Sequence, residues 1–350
     1  MRRAEGVVVD AAVRRDAEQG LGQTWLTPTY RADLRTTRPD VFVDESATDW
    51  SSLGWDEVGR PYLVDDYSRE RRRWEEEHNR SMPVLVQWEN FNRAFHDLFI
   101  SDSEERSQRV RERFLGHLRR LNLSALPEEL KDLVQVKVWN KVHRIEDAVW
   151  DPRGKRALFE GLDTPKPRLL FLGAADGYEA LQLLSMYPGG SAVLVDYDDF
   201  CRTDRYGKFP EAYPFLGEDP ATGGHRVYHK EDLESRVEFV VDDIRNLDYG
   251  REFDLVLSVG LVEHFPDELK PEAFEWHRRF LKPGGYAILT TPRNQLRSKL
   301  FYRVMADIMN YGYRELMDAR QLGLYAYENG FDVLRCGYIK AHNGVIARPR

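Results

Sequence analysis

The 350-residue chain predicts an α/β protein in which a doubly wound parallel sheet forms the second half and mainly helical structure precedes it. The first observation is a continuous apolar run, Leu169 to Leu172, of the kind expected for a strand buried on both faces. The second is a turn of small residues and a helix pattern directly after this run. The third is another apolar run that ends at Asp196. Strand, helix and strand in this order are the unit from which doubly wound sheets are built.

The turn after the first strand has the composition of a ligand-binding turn. It consists of Gly173, Ala174, Ala175, Asp176 and Gly177. Small side chains let a ligand approach the backbone and let the next helix pack closely on the sheet. A carboxylate about 20 residues further on, here Asp196, typically binds the two hydroxyls of an adenosine ribose. NAD and S-adenosylmethionine both contain adenosine, so these residues alone fit either one.

Three further strands follow, and polar turns separate them. The third strand, Val237 to Val241, leads into Asp242, Asp243 and Ile244. We expect Asp243 to accept a hydrogen bond from an adenine amino group, with Ile244 against the ring and Asp242 as a bystander. The fourth strand ends near Val259, and its turn contains Gly260, Glu263 and His264. A helix and the turn Lys-Pro-Gly-Gly then lead into a fifth strand.

This order of acids and turns resembles the class I S-adenosylmethionine-dependent methyltransferases of the small-molecule type, over roughly residues 165–350. The resemblance implies a seven-stranded Rossmann-like sheet whose last strand is antiparallel, and S-adenosyl-L-methionine as cofactor. It also implies a cofactor site that contains the small-residue turn, Asp196, Tyr197, Asp243, Ile244, Val259 and Gly260. Two positions depart from the family pattern. Phe171 stands where an acid is usual, and Ala175 replaces the central glycine, so Asp176 or backbone groups would hold the amino-acid end of the cofactor.

The turn after the fourth strand contains the candidate catalytic residue. His264 lies where the methyl group is expected, and imidazole titrates near neutral pH, so it is either the general base or a lining residue. Glu263 would orient His264, contact the acceptor or make a structural hydrogen bond. Arg293, after the fifth strand, would contact a polar substrate. No metal is predicted, because Gly260 occupies the first position of the Glu-x-x-Glu-His motif that some family members use.

The first part of the chain predicts a helical domain over 1–160, followed by the methyltransferase domain over 161–350. Three helices are expected, over about 83–99, 101–121 and 127–150, while 1–80 show no sustained periodicity. The many aromatic residues before 151 favour core and interface packing over a substrate cage. Two insertions, at about 198–235 and 298–327, are predicted to face the acceptor side of the pocket.

Composition restricts the class of protein. The net charge of −8 argues against binding to nucleic acid or to an anionic membrane surface. Cys201 and Cys336 have no paired spacing, and no stretch has the apolar length of a signal peptide or membrane span, which predicts a cytoplasmic protein. The N-terminal domain is expected either to cap the substrate or to form a homodimer.

Three classes of function remain open at this stage. The favoured one is methyl transfer to a small-molecule acceptor of the natural-product type, with O-methylation favoured. A protein that binds S-adenosylmethionine without methyl transfer is an alternative. An NAD-dependent oxidoreductase is less favoured, because the Gly-x-Gly-x-x-Gly motif is missing.

Overall fold

The structure is a computed structural model. It describes residues 42–44, 46–64, 69–100, 103–145, 158–208, 215–339 and 341–350. The strands are β1 (Phe42–Asp44), β2 (Tyr62–Leu63), β3 (Arg168–Leu172), β4 (Ser191–Asp196), β5 (Phe215–Glu218), β6 (His225–Tyr228), β7 (Val237–Val241), β8 (Phe253–Val259), β9 (Leu281–Pro292), β10 (Glu315–Leu316), β11 (Phe331–Ile339) and β12 (His342–Pro349). The helices are α1 (Trp55–Val58), α2 (Arg69–His78), α3 (Val84–Ile100), α4 (Ser103–Arg119), α5 (Leu126–Ile145), α6 (Tyr178–Met186), α7 (Lys230–Leu233), α8 (Lys270–Arg279), α9 (Leu296–Val304), α10 (Ala306–Met309) and α11 (Ala319–Glu328).

The central sheet confirms the predicted fold class. Its strand order is β1-β11-β12-β9-β8-β3-β4-β7. Pairing is parallel from β9 to β7, while β12 is antiparallel to both of its neighbours, β9 and β11. The seven predicted strands are therefore present, and the last one is antiparallel. The sequence did not predict β1, which pairs antiparallel with β11 as an eighth strand. Three residues are too few to show a strand pattern.

Alternate side chains of the sheet form two separate cores. Leu169, Phe171 and Leu257 contribute to the core that contains residues of α6, and Leu170 and Leu172 to the core that contains residues of α8 and α11. All five side chains are at most 1% exposed. Burial of one such side chain is worth about 1.5 to 3 kcal/mol. Both faces of β3 are therefore covered, which explains its uninterrupted apolar run.

The predicted N-terminal helices are α3, α4 and α5, and residues 146–150, the end of the third predicted helix, lie outside the described residues. Segment 42–64 packs on the α/β domain: β2 pairs with β10, and Trp50 is buried in a core of the sheet. Leu158 and Phe159 also belong to the core of that domain. The division of the chain at 160/161 stays a prediction.

The first insertion packs on α6, and its Phe215, Tyr228 and Leu233 are buried in the core to which α6 contributes. It contains a π-helix, Cys201–Arg205, and the antiparallel hairpin of β5 and β6. Gly217 of β5 touches α6 so closely that a Cβ atom there would lie 1.5 Å from the carbonyl oxygen of Ser185. The hairpin is therefore held against α6, and residues 209–214 lie outside the described part.

We expect Gly177→Ala to destabilise the protein by about 2 to 5 kcal/mol, the sum of backbone strain and overpacking. Gly177 has φ +77°, and a Cβ atom would lie 2.8 Å from Leu194 Cδ2 and 2.9 Å from the ring of Tyr206. Gly223 has a similar φ of +67°, but a Cβ atom there would have nothing within 4 Å, so Gly223→Ala is the matched control. Urea denaturation measures both. Equal losses of unfolding free energy in the two variants would contradict the role of close packing at Gly177.

Candidate active site

A cavity of about 650 Å³ lies at the carboxyl ends of β3, β4, β7 and β8. Ligands of doubly wound sheets bind at this edge, and pockets for small molecules have volumes on the order of 300 to 1,000 Å³. Helix α3 covers the cavity with one face, and segment 297–314 contributes a second wall. The cavity is therefore built from the sheet edge, α3 and the second insertion.

Most of the predicted site residues meet in this cavity. Those that line it are Gly173, Ala174, Ala175, Asp176, Asp196, Tyr197, Asp243, Ile244, Val259, Gly260, Glu263 and His264. Gly177 is not among them, because it packs between Leu194 and Tyr206. Arg293 is also outside the cavity lining, and its guanidinium lies 3.4 Å from the ring centroid of Tyr338. The structure therefore does not place Arg293 where the sequence suggested a substrate contact.

The small-residue turn is tied to the carboxylate after the second strand of the motif. Gly173 has φ +68° and Ala175 has φ +48°, so both adopt the left-handed conformation. The backbone N–H of Ala175 donates to Oδ2 of Asp196 at 3.1 Å. Asp176 accepts from the N–H of Tyr178 at the start of α6, at 3.0 Å. These contacts hold the turn open toward the cavity.

Asp196 is a buried carboxylate with capacity for further hydrogen bonds. It is 7% exposed, and its Oδ1 accepts from the N–H of Asp198 at 3.2 Å. Burial raises the pKa of Asp196, and its hydrogen bonds to backbone N–H groups oppose this rise. Each carboxylate oxygen can accept two hydrogen bonds. A ligand hydroxyl in the cavity can therefore use the remaining lone pairs.

Asp242 and Asp243 both line the cavity after β7. The side chain of Arg245 binds Asp243, with Nη2 2.6 Å from Oδ2, and this lowers the pKa of Asp243. Asp242 Oδ1 accepts from the N–H of Asp243 at 2.7 Å and from the side chain of Asn246 at 3.0 Å. The expected bystander, Asp242, thus lies as close to the cavity as Asp243 does.

His264 lines the cavity, and one of its two ring nitrogens is unprotonated. Its Nδ1 lies 2.8 Å from the carbonyl oxygen of Tyr313. Because a carbonyl only accepts, Nδ1 carries the hydrogen, and Nε2 of the neutral ring has a free lone pair. Burial lowers the pKa of His264 well below its usual value, and the charge of Arg314 lowers it further. His264 is therefore neutral near pH 7, with the lone pair of Nε2 unoccupied.

Glu263 is a buried acid beside His264. It is fully buried, and neither carboxyl oxygen has a hydrogen-bond partner among the described residues. The distance from Oε1 to Nε2 of His264 is 3.8 Å, which is too long for a hydrogen bond. Burial raises the pKa of Glu263 to about 7, and the charge of Arg314 opposes this rise. Near neutral pH the side chain therefore exists in both protonation states.

Five aromatic side chains form one wall of the cavity, called here the aromatic wall. They are Trp88, Phe91 and Phe95 of α3, and Phe301 and Tyr302 of α9. The sequence favoured core packing for the aromatic residues before 151; Phe91 and Phe95 do pack against a core, but all three from α3 also line the cavity. Their spacing at intervals of three and four was visible, but the partner of that helix face was not.

The arginines that line the cavity, Arg205, Arg245, Arg297 and Arg314, were also missed. Arg205 donates to Oδ1 of Asn92 at 2.6 Å, and Asn92 and Arg93 donate to Oδ2 of Asp198 at 3.2 and 3.0 Å. This network fixes α3 to the end of β4. Among the described residues of 198–235, only Arg205 lines the cavity, so most of that insertion does not face it. Arg314 comes from the second insertion, which does contribute to the lining.

In the described ranges, no group of three or more His, Cys, Asp or Glu side chains is placed to hold a metal ion. No helix within those ranges is both long and apolar enough to cross a membrane.

The chain belongs to the methyltransferase domain family, whose model matches residues 142–335, more than half of the sequence. No curated protein matches the chain.

Solved structures with a similar fold include human N-acetylserotonin methyltransferase in complex with SAM, at 16% identity and TM-score 0.42 over 63% of this chain. An O-methyltransferase family protein from Burkholderia thailandensis has 18% identity and TM-score 0.43 over 65% of this chain. The matches cover 56% and 60% of those two proteins, less than two thirds of their length. A third similar structure is Burkholderia thailandensis 1,6-didemethyltoxoflavin-N1-methyltransferase, at 15% identity and TM-score 0.40, over 68% of this chain and 89% of that one.

Proposed function

We propose that this protein is an S-adenosylmethionine-dependent methyltransferase that methylates a hydroxyl group of a small-molecule acceptor. The observation that carries the proposal is a single cavity lined both by the carboxylates after β4 and β7 and by His264, whose Nε2 has a free lone pair. Membership of the methyltransferase domain family supports it.

The residues at the carboxyl ends of the strands fit S-adenosylmethionine. Asp196 is buried and has unused lone pairs for the ribose hydroxyls, and Asp242 and Asp243 border the place proposed for the adenine. The usual acid of β3 is replaced by Phe171, but Glu179 in the first turn of α6 is buried and also lines the cavity. We assign Glu179 to the ammonium group of the cofactor, because a carboxylate from the helix can replace one from the strand.

When bound, S-adenosylmethionine supplies a methyl group on a positively charged sulfur, and the carbon–sulfur bond breaks as the methyl group is transferred. The residues of this chain have to align the acceptor and remove its proton. Nε2 of His264 takes the proton of the acceptor hydroxyl while the oxygen bonds to the methyl carbon. Nδ1 keeps its hydrogen bond to the carbonyl of Tyr313, which holds the ring in position and stabilises the protonated form.

The aromatic wall and α3 exclude water and select the acceptor. Trp88 contacts His264 with its ring centroid at 4.4 Å and in an edge-on arrangement, and Phe91 lies 6.4 Å from the same ring. An acceptor that reaches Nε2 therefore lies against aromatic rings. Flat aromatic acceptors gain both apolar burial and ring contacts there.

We expect the protein to bind S-adenosylmethionine in calorimetric titration and to show no binding of NAD. Glu179→Gln should weaken S-adenosylmethionine binding by about 10- to 100-fold, because a charge-assisted hydrogen bond is lost. Glu231→Gln is the control, since Glu231 is exposed on the short helix α7. Binding of NAD instead of S-adenosylmethionine would overturn the proposed function, and an unchanged affinity in Glu179→Gln would overturn only the role of Glu179.

The cytoplasmic location and a homodimer formed through the N-terminal helices are retained as proposals. They rest on the composition and on the helical pattern of that part of the chain. Cell fractionation tests the first, and light scattering tests the second.

A further inference from the structure

Arg314 is a buried cation at the aromatic wall. It is 4% exposed and lines the cavity. Its guanidinium carbon lies 4.7 Å from the ring centroid of Tyr302 and 5.2 Å from that of Phe91. Phe91 is also a neighbour of His264. Arg314 and the free nitrogen of His264 therefore belong to the same part of the cavity.

The hydrogen-bonding capacity of Arg314 is mostly unused. Nη1 donates to the hydroxyl of Tyr302 at 2.8 Å, and Nη2 makes a weak contact of 3.5 Å with the carbonyl of Met309. Nε has no partner among the described residues. A guanidinium has five N–H donors, so most of its donors remain available.

No carboxylate in the described ranges pairs with Arg314 within 4 Å. Lys270 differs from Arg314 in this respect. It is also buried, but its Nζ lies 2.7 Å from Oε2 of Glu315, so its charge is paired. Glu263 senses the charge of Arg314, but its oxygens have no hydrogen-bond partner, and its pKa is raised to about 7. A buried cation without a fixed counter-ion is costly, and such a cost is characteristic of a site completed by a ligand.

We propose that Arg314 is a specificity-determining residue that binds a carboxylate on an aromatic acceptor, whose hydroxyl group lies at His264. The inference rests on the proposed function and names its substrate class, a hydroxylated aromatic acid. The planar fork of arginine matches a carboxylate in a bidentate geometry. The rings of the aromatic wall, which contact Arg314 and His264, provide the surface for the ring of the acceptor.

The two acidic groups of the acceptor have different roles in this arrangement. The carboxylate stays ionised against Arg314 and is not methylated. The hydroxyl oxygen bonds to the methyl carbon as its proton moves to Nε2 of His264, and the carbon–sulfur bond electrons stay with the sulfur. One methyl group is gained by the acceptor and one proton is lost from it, so the step balances.

Binding of the carboxylate should be coupled to proton uptake by Glu263. The charged and titratable groups around Glu263 are Arg314, Lys270, Glu315, His264 and Tyr302. Arg314 favours the ionised form of Glu263, and a bound carboxylate cancels this effect and adds a negative charge. The pKa of Glu263 therefore rises in the complex, and protons are taken up near pH 7. Calorimetry in buffers of different ionisation enthalpy measures this uptake.

The direct test compares 2-, 3- and 4-hydroxybenzoate with the matching hydroxybenzamides, which keep the ring and hydroxyl but lack the charge. Each is titrated into the full chain saturated with S-adenosylhomocysteine. We expect at least one hydroxybenzoate to bind at least tenfold more tightly than its amide. Arg314→Met should remove this preference, and Arg314→Lys should retain part of it, because lysine keeps the charge but not the fork.

Arg303→Met is the control, since Arg303 is an exposed arginine on α9. If Arg314→Met does not fold, the wild-type preference, the proton uptake and Arg314→Lys still test the proposal. Equal binding of acids and amides, no binding of any hydroxybenzoate, or a preference that survives in Arg314→Met would overturn it. Failure of S-adenosylhomocysteine to bind would instead overturn the proposed function.

Discussion

His264→Ala is expected to lower turnover by about 10² to 10⁴, the usual contribution of a positioned general base. The reason is the tautomer of a ring that lines the cavity: Nδ1 donates to the carbonyl of Tyr313, so Nε2 keeps a free lone pair. Affinity for S-adenosylmethionine should change little, because the carboxylates that we assign to the cofactor are elsewhere in the cavity. Steady-state kinetics and calorimetry with an acceptor identified by screening measure the two quantities.

His264→Gln separates proton transfer from packing. Glutamine fills much of the space of the imidazole but does not accept a proton at neutral pH, so its turnover should be as low as that of the alanine variant. His78→Ala is the control, because His78 is exposed at the end of α2. Turnover close to wild type in His264→Gln would reduce His264 to a lining residue and would indicate an acceptor that is nucleophilic without deprotonation.

The pH profile provides an independent check on the same residue. Burial and Arg314 lower the pKa of His264 well below its usual value, so protonation inactivates the base only when the pH falls through that lowered value. Turnover limited by this base should therefore show no loss as the pH falls through about 6.5, the usual value for histidine. Glu263, whose pKa is raised to about 7, also titrates in this range, so the profile is measured in Glu263→Gln as well. A loss that disappears in that variant belongs to Glu263, and a loss that remains would contradict the lowered pKa of His264.

The sequence predicted those parts of the site that follow directly from regular strands. The apolar run of a buried strand such as β4 shows in the sequence where the strand ends. The polar residue at that end then lies at the carboxyl edge of the parallel sheet. Asp196 and Asp243 were found in this way, and both line the cavity. Glu263 and His264 lie in a short turn after β8, whose length leaves little freedom in position.

Residues that reach the cavity from long connections could not be found in this way. Arg314 lies at the end of a segment whose path depends on tertiary packing against α3, and no local pattern encodes that path. Arg293 is the opposite case: the sequence places it directly after a strand, yet it does not line the cavity. It follows β9 directly, but its backbone N–H donates to the carbonyl of Ala341 at 2.7 Å, and its side chain stacks on Tyr338. The end of β11 and the turn that follows it thus determine where this residue lies.

The cavity combines two kinds of binding surface that have different sources. The cofactor residues come from turns at the ends of the parallel strands, which the fold class positions. The proposed acceptor residues come from α3, α9 and the segment before β10, which are attached to the sheet by side-chain contacts such as the network around Asp198. The choice of acceptor can therefore change through these elements without altering the residues that bind the cofactor.

Asp196→Ala is expected to weaken S-adenosylmethionine binding by about 1 to 3 kcal/mol, the cost of losing a hydrogen bond to a buried charge. The loss has two sources, since Asp196 is assigned to the ribose hydroxyls and also holds the N–H of Ala175 in the turn. Asp243→Ala should cost less, because Arg245 already binds that carboxylate. Calorimetric titration of both variants measures the difference.

A change in the ligand separates the two contributions of Asp196 to binding, its contact with the ribose hydroxyls and its hydrogen bond to the turn. Adenosine and 2′,3′-dideoxyadenosine differ only in the two ribose hydroxyls, so wild type should bind adenosine more tightly, and Asp196→Ala should bind both equally. The difference between these two comparisons is the interaction energy of Asp196 with the hydroxyls, free of any effect on the turn. If Asp196→Ala still prefers adenosine by the wild-type factor, then Asp196 acts only by holding Ala175, and another group of the cavity binds the ribose.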